Sequence, residues 1–253
     1  SSEELMEVLI YAMSRVHPWI RLNRVIRDIP SDYIHAGNDV TNLRQIVMKE
    51  MEERGLTSMC IRSREVKNKK DAIDIINKAK LFVREYNASE GTEYFISFES
   101  PDNKYIYGFC RLRLSNNMGI VRDIKPRIHR KTKEDNKEIY INLFPELDGV
   151  AMIRELHVYG NMNPVDVDNI KAKTQHRGFG KKLVAKAEEI ARNKGYKKIT
   201  VISGVGVRKY YEKLGYSLGP YDYMYKNIKK IDYSITYLFL FVIIYLISKL
   251  FLK

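Results

Sequence analysis

The sequence predicts an α+β protein: a mixed sheet flanked by helices, preceded by a mainly helical segment and followed by one membrane-spanning helix. Three textures predict it. Residues 1–92 carry apolar side chains at helical spacing. Residues 93–228 break into short alternating runs bounded by turn residues, with one strongly periodic helix among them. Residues 235–253 form an almost unbroken apolar run. The expected divisions are therefore 1–92, 93–228 and, with its approach, 231–253.

The opening "SSEELMEVLIYAMSRV" carries a capping box, Ser1 with Glu4, then Leu5, Leu9, Ala12, Met13 and Val16 on one helical face. "HPWIRLNRVIRDIPSDYIHAGND" breaks that period with Pro18, Pro30 and Gly37; with Arg15 just before it, it spaces Arg21, Arg24 and Arg27 among Trp19 and Tyr33. Such a basic, aromatic segment suits a phosphate backbone, and an ordinary solvated face is the competing reading. "NDVTNLRQIVMKEMEERG" predicts a second helix ending at Gly55, and "KKDAIDIINKAKLFVREYNA" a third, with Ile73, Ile76, Ala79 and Phe82 on one side.

From Glu93 strands are expected. "EYFISFES" and "YIYGFCRLRL" alternate around Pro101, Asp102 and Asn103 as a hairpin. A polar, basic insert over 115–138 reads as a surface loop or an irregular extension of the sheet, and "EIYINLF" and "GVAMIRELHVYG" as further strands. After a loop over 161–174, "QHRGFG" opens the helix "KKLVAKAEEIARNKG". "KKITVIS" predicts a strand, "GVGVRKYYEKLG" a short helix and "YMYKN" a last strand.

As a helix, "ITYLFLFVIIYLISKLFLK" approaches the ~30 Å thickness of a hydrocarbon core. Lys249 sits near its end, where it can snorkel. The reading is a C-terminal tail anchor, with the preceding residues facing the cytosol from the mitochondrial outer membrane or the endoplasmic reticulum. Lys226, Lys229 and Lys230 before the span agree with the positive-inside rule. A buried core helix is the alternative.

Composition narrows the partners. In 253 residues, 44 Lys and Arg against 31 Asp and Glu give a formal net charge of +13, which favours an anionic partner such as nucleic acid or an acidic membrane surface, with general solubility as the competing reading. Hydrophobic residues make up 45%, enough to build a core and to exclude a disordered chain. Cys60 and Cys110 are the two cysteines, which supports neither a disulfide framework nor a multi-cysteine metal site and points to a reducing compartment.

The chemistry concentrates in "QHRGFG". Glycine weakens a helix by ~1 kcal/mol relative to alanine, so Gly178 and Gly180 at a helix start need a reason. Absence of a Cβ lets a ligand approach the backbone, and the first N–H groups of a helix are unpaired donors at the positive end of its dipole. Those amides, with Arg177 and Lys181 beside them, suit a pyrophosphate. The run lacks the spacer and Lys-Ser/Thr pair of a P-loop. It also lacks the third glycine and the βαβ context of a dinucleotide fold, which leaves coenzyme A.

Q-x-x-G-x-G opening a helix after a strand is similar to the signature of the GNAT N-acetyltransferase superfamily. Together "RELHVYG", "QHRGFGKKL", "VISGVGVRKYYEKLGY" and "GPYDYMYKN" resemble the acetyltransferase domain of the Elongator catalytic-subunit family, which modifies the wobble uridine of tRNA. "HPWIRLNRVIRDIPSDYIHAGNDVTNLRQ" and "CIRSREV" resemble the segment that joins that family's radical-SAM domain to its acetyltransferase domain. The resemblance covers most of residues 1–226, in order. It implies a GNAT fold over 93–228, preceded by the helical end of a radical-SAM domain and a tRNA-binding linker. It implies acetyl-CoA as cofactor, tRNA as partner and contact with other Elongator subunits.

By the same resemblance Glu155, Leu156, His157 and Val158 contact acetyl-CoA from a strand, and Gln175, Arg177, Gly178, Phe179, Gly180 and Lys181 from the helix start. Tyr211 is carried over as a cofactor contact. A phenol there can protonate the departing thiolate, with Tyr210 as support. Glu155 is the candidate general base, acting through a water, and His157 faces the same side; structural hydrogen bonding is the competing reading for both. The family's three-cysteine motif is missing, so the 4Fe-4S cluster and S-adenosylmethionine are not supported by this chain. Where relatives have a cysteine-rich zinc site, Ser58, Cys60 and Ser63 stand here, so no structural zinc is expected. The expected function is an acetyl-CoA-dependent, tRNA-binding enzyme of this type. A protein lysine acetyltransferase and a non-catalytic, membrane-tethered tRNA-binding module are the alternatives.

Overall fold

A computed structural model describes residues 2–23, 25, 40, 42–66, 71–72, 75–123, 139–159 and 178–228. Its helices are α1 Ser2–Arg15, α2 Leu43–Glu53, α3 Ile61–Arg64, α4 Phe179–Asn193 and α5 Arg208–Glu212. Its strands are β1 Lys80–Ala88, β2 Gly91–Glu99, β3 Ile106–Leu114, β4 Ile120–Asp123, β5 Ile139–Asn142, β6 Ala151–Val158, β7 Lys198–Val201, β8 Ser217–Leu218 and β9 Met224–Asn227. Seven strands form one sheet in the order β1-β2-β3-β6-β7-β9-β8. The sheet is mixed, as expected for an α+β protein: β6 and β7 are parallel, joined through α4, whereas β7–β9 and β8–β9 are antiparallel.

The chain divides into two compact units. The first comprises residues 1–86, 94–111 and 155–184. In it Ile10 and Met13 of α1 pack against Leu43, Val47 and Met51 of α2, which is the apolar face that the helical spacing anticipates. Helix α2 stops where Gly55 takes φ +67°, a left-handed conformation that costs glycine little. A second cluster, Ile61, Phe95, Ile106 and Phe109, joins α3 to β2 and β3, with Trp19, Tyr86 and Tyr159 against it. The second unit comprises 87–93, 112–154 and 185–253. Met118, Leu147 and Met152 form an apolar cluster there. Glu188 of α4, buried, accepts bonds from Tyr216 Oη at 3.0 Å and Lys226 Nζ at 2.9 Å, which ties α4 to β9.

One expected helix is a strand. Within "KKDAIDIINKAKLFVREYNA", Ile76–Lys78 makes a short 3-10 turn and Lys80–Ala88 is β1, so the sheet begins ahead of Glu93. The reason lies in "LFVREY": Leu81, Val83 and Glu85 are exposed while Phe82, Arg84 and Tyr86 turn inward, a period of two that outcompetes the helical one. Within the insert over 115–138, Ile120–Asp123 is β4, which pairs with β5 as a separate two-stranded ribbon rather than extending the main sheet. Helix α3 and strand β8 are too short for any periodic signal. The loop over 161–174 and the tail over 231–253 lie outside the described residues; among the described residues no helix is long and apolar enough to cross a membrane.

Candidate active site

The two elements that frame the motif are β6 and the start of α4. Parallel register between β6 and β7 runs from Ala151↔Ile199 to Ile153↔Val201, where β7 ends. Strand β6 continues through Arg154, Glu155, Leu156, His157 and Val158. Past the last β7 pair, the backbone of this half-strand offers an extended ligand the donors and acceptors of a strand edge. Gly108 of β3 sits against it: a Cβ there would meet His157 O at 2.9 Å and Val158 Cα at 3.2 Å. Glycine is what lets β3 and β6 approach at that point.

Gly178 takes φ +67°, and its carbonyl accepts the Lys182 N–H at 3.0 Å, the first bond of α4. A Cβ at Gly178 would have nothing within 4 Å. The backbone conformation at Gly178 therefore favours glycine, and no described protein atom fills the space where a Cβ would stand. The Phe179 side chain is buried, stacked on Phe98 at 4.4 Å and near Tyr107 at 6.2 Å. It pins the helix start to the sheet and leaves only its amide for a ligand. The leading amides, Gly180 and Lys181 among them, have no intrahelical acceptor, and the exposed Lys181 and Lys182 add charge beside them. Gln175 and Arg177 lie outside the described residues.

Side chains around Glu155 form a network that spacing alone does not reveal. Arg111 Nε donates to Glu155 Oε2 at 2.9 Å, while its Nη2 donates to the Trp19 carbonyl at 2.7 Å and its Nη1 reaches Tyr86 Oη at 3.4 Å. The candidate base is thus an ion-paired carboxylate. His157 stacks on Phe109, 5.9 Å between centroids, and lies tilted against Tyr159 at 4.4 Å. Partial burial lowers its pKa, Glu155 and Glu65 oppose that and Arg21 adds to it, so the imidazole is neutral at pH 7. Tyr159 donates to Glu65 Oε1 at 3.2 Å, and burial, then Glu65, raises its phenol pKa, so it stays protonated.

Glu65, which the sequence reading did not single out, is central here. It also takes both Arg21 Nη2 at 2.8 Å and Arg21 Nε at 3.1 Å. Its only signal is an acidic residue in a basic segment. Arg15 is exposed with its guanidinium 3.9 Å from the Tyr11 ring, and Arg24 and Arg27 lie outside the described residues. In the second unit, α5 holds Tyr211 buried, edge-on to Tyr210 at 5.2 Å and to Tyr216 at 5.7 Å. Tyr210 is half-buried.

Cys60 does not fit a zinc ligand set. Its Sγ accepts the Leu22 N–H at 3.2 Å and Arg44 Nη2 at 3.6 Å, and Ser63 Oγ accepts the same guanidinium at 3.1 Å. A cationic side chain occupies the place where a second cation would need soft anionic donors. Among the described residues no group of three His, Cys, Asp or Glu could hold a metal.

A strand running past its partner, beside a glycine-capped helix start on a mixed sheet, is the framework of an acetyltransferase domain, and residues 169–216 match the Acetyltransferase (GNAT) family. Residues 1–53 match the Radical_SAM C-terminal domain. The chain is similar to the C-terminal region of Elp3-like proteins, in which these two parts are joined. Against the tRNA uridine(34) acetyltransferase of Methanocaldococcus jannaschii it is 40% identical over 224 residues, 87% of this chain and 37% of that protein. Against human Elongator complex protein 3 it is 37% identical over 236 residues, 90% of this chain and 38% of that protein. The solved structure of archaeal Methanocaldococcus infernus Elp3 with an N-terminal deletion superposes with a TM-score of 0.65 at 38% identity, covering 89% of this chain and 48% of that one. The chain therefore spans under two fifths of the length of these curated relatives.

Proposed function

We propose that the chain is the acetyl-CoA-binding and tRNA-binding part of an Elongator-type tRNA uridine(34) acetyltransferase. The observation that carries this is the ordered likeness over 87–90% of the chain to proteins named for that activity or for the Elongator complex. Residues 1–92 are read as the end of a radical-SAM-like domain with a tRNA-binding linker, and 93–228 as the GNAT domain.

Bound acetyl-CoA supplies an acetyl group activated as a thioester. The residues present fit it: the leading amides of α4 and the Lys181 ammonium suit its pyrophosphate, and the half-strand Glu155–Val158 suits the amides of its pantetheine arm. Gln175 and Arg177 belong to the same motif. Tyr211 is the residue assigned to give a proton to the departing thiolate, with Tyr210 in support. Glu155, held by Arg111, orients a water or substrate hydroxyl rather than acting as a free base. Arg15, Arg21, Arg24 and Arg27 are assigned to tRNA phosphates. Donor sets for an iron–sulfur cluster with S-adenosylmethionine are not present in this chain, and no step here is routed through them. Other Elongator subunits are the expected protein partners.

Residues 231–253 are read as a tail anchor that holds the chain on the cytosolic side of the mitochondrial outer membrane or the endoplasmic reticulum. The support is their apolar composition alone.

The test is release of free coenzyme A from acetyl-CoA by the purified chain, with and without tRNA. Stimulation by tRNA is expected, and Tyr211→Phe should lower the stimulated rate about a hundredfold. No stimulated release together with no tRNA retention at physiological salt would reject the reading. Faster acetylation of a histone or tubulin peptide would replace it with a protein acetyltransferase.

A further inference from the structure

In the first unit three rings form a column. His17 lies 4.6 Å from Trp19 with planes 4° apart, and Trp19 lies 4.5 Å from Tyr86 with planes 7° apart. Its base is rooted in the core, since Trp19 and Tyr86 both pack against the Ile61, Phe95, Ile106 and Phe109 cluster. Its other end is His17, which is exposed, and among the described residues no ring lies on its outer face.

The backbone carrying the column is pinned. Arg64 Nη2 donates to the Pro18 carbonyl at 2.7 Å, Arg111 Nη2 donates to the Trp19 carbonyl at 2.7 Å, and Ile20 N–H donates to His17 O at 2.9 Å. A flat surface held this way loses little freedom when something stacks on it. The open end belongs to a basic chain: Arg15 is exposed two positions before His17 in the sequence, and the net charge is +13.

We infer that this column is a base-stacking platform, on which one unpaired nucleobase of the bound RNA lies against the outer face of His17. Aromatic and imidazole faces accept any base, and the positive charge of the chain attracts the flanking phosphates, which is the physics of single-strand recognition. A purely structural column would not need its last ring exposed. The inference rests on the reading that the chain binds tRNA and adds the contact that would receive an unstacked base.

Trp19 is the single tryptophan of the chain, so its emission reports the column directly. The full chain is titrated with a synthetic anticodon stem-loop RNA bearing an unmodified wobble uridine. Trp19 emission should change in step with binding. His17→Ala should weaken binding about tenfold and lose most of that change, and His17→Phe should restore both. His17→Leu keeps bulk without a π face and should behave as His17→Ala while melting like the unaltered chain. A fully paired RNA duplex of equal charge should leave the emission unchanged. Equal affinity and equal emission change in His17→Ala or His17→Leu would overturn the platform while leaving tRNA binding intact, and so would an equal response to duplex. Failure of the unaltered chain to bind the stem-loop would overturn the tRNA reading on which the platform depends.

Discussion

Gly178 and Gly108 serve β6 and α4 for different reasons, and substitution separates them. At Gly178 the space is open and the conformation is left-handed, so Gly178→Ala should cost about 1–2 kcal/mol of stability and weaken coenzyme A binding by loosening the helix start. At Gly108 a methyl would meet the His157 carbonyl and Val158 Cα, so Gly108→Ala should displace the proposed pantetheine strand. Steady-state kinetics should show a raised KM for acetyl-CoA with a smaller change in kcat. His157 gives a pH prediction with a definite sign. Its folded pKa is below the ordinary 6.5, so on acidification the unfolded chain takes up the proton first. That stability is complete above about pH 6.5 and is lost as pH falls through the lowered value. Urea midpoints measured against pH should therefore decline on the acid side, and His157→Gln should flatten the decline.

Among elements, α3 and the β1–β2 hairpin are locked by a buried carboxylate. Glu99, fully buried, takes Arg84 Nη1 at 2.6 Å, Arg64 Nη1 at 2.8 Å and the Ser97 hydroxyl at 2.6 Å. Arg64 is buried too, and desolvation pulls its pKa down while Glu99 opposes the fall. Removing the shared anion strands two guanidinium groups, one of them inside the protein. Glu99→Ala should lose about 3–5 kcal/mol in denaturant titration, more than the exposed Arg54–Glu7 pair could contribute. The same lock explains why β1 is a strand. Arg84 reaches Glu99 from the inward face that alternation gives it, alongside Phe82 and Tyr86. In a helix those three would not share a face.

At the scale of the whole molecule, the charge of +13 makes the proposed RNA binding an ionic-strength experiment. Log Kd should rise linearly with log salt, and Arg15→Gln should reduce the slope by roughly 0.7, the share of one phosphate on a single strand. Arg21→Gln should reduce it less, because Arg21 is already paired with Glu65. The tail is tested independently: a chain ending at residue 230 should leave the membrane fraction on cell fractionation if residues 231–253 are an anchor, and a truncated chain that still sediments with membranes would reject it.

The features legible in the chain alone are local or periodic. Apolar spacing placed α1, α2 and α4, alternation placed β2, β3, β6 and β7, and the ordered motifs around "QHRGFG" identified acetyltransferase and Elongator-type likeness before any coordinate. Such features are written in neighbouring residues, which is why they are legible in one dimension. The remaining features depend on long-range contacts. Phe179 faces the core because Phe98 and Tyr107 lie beneath it, Glu155 is an ion pair because Arg111 lies on the neighbouring β3, and Glu65 gathers Arg21 and Tyr159 from distant segments. Each depends on a partner tens of residues away, whose approach is set by sheet order and burial, and no periodicity in the chain encodes that distance.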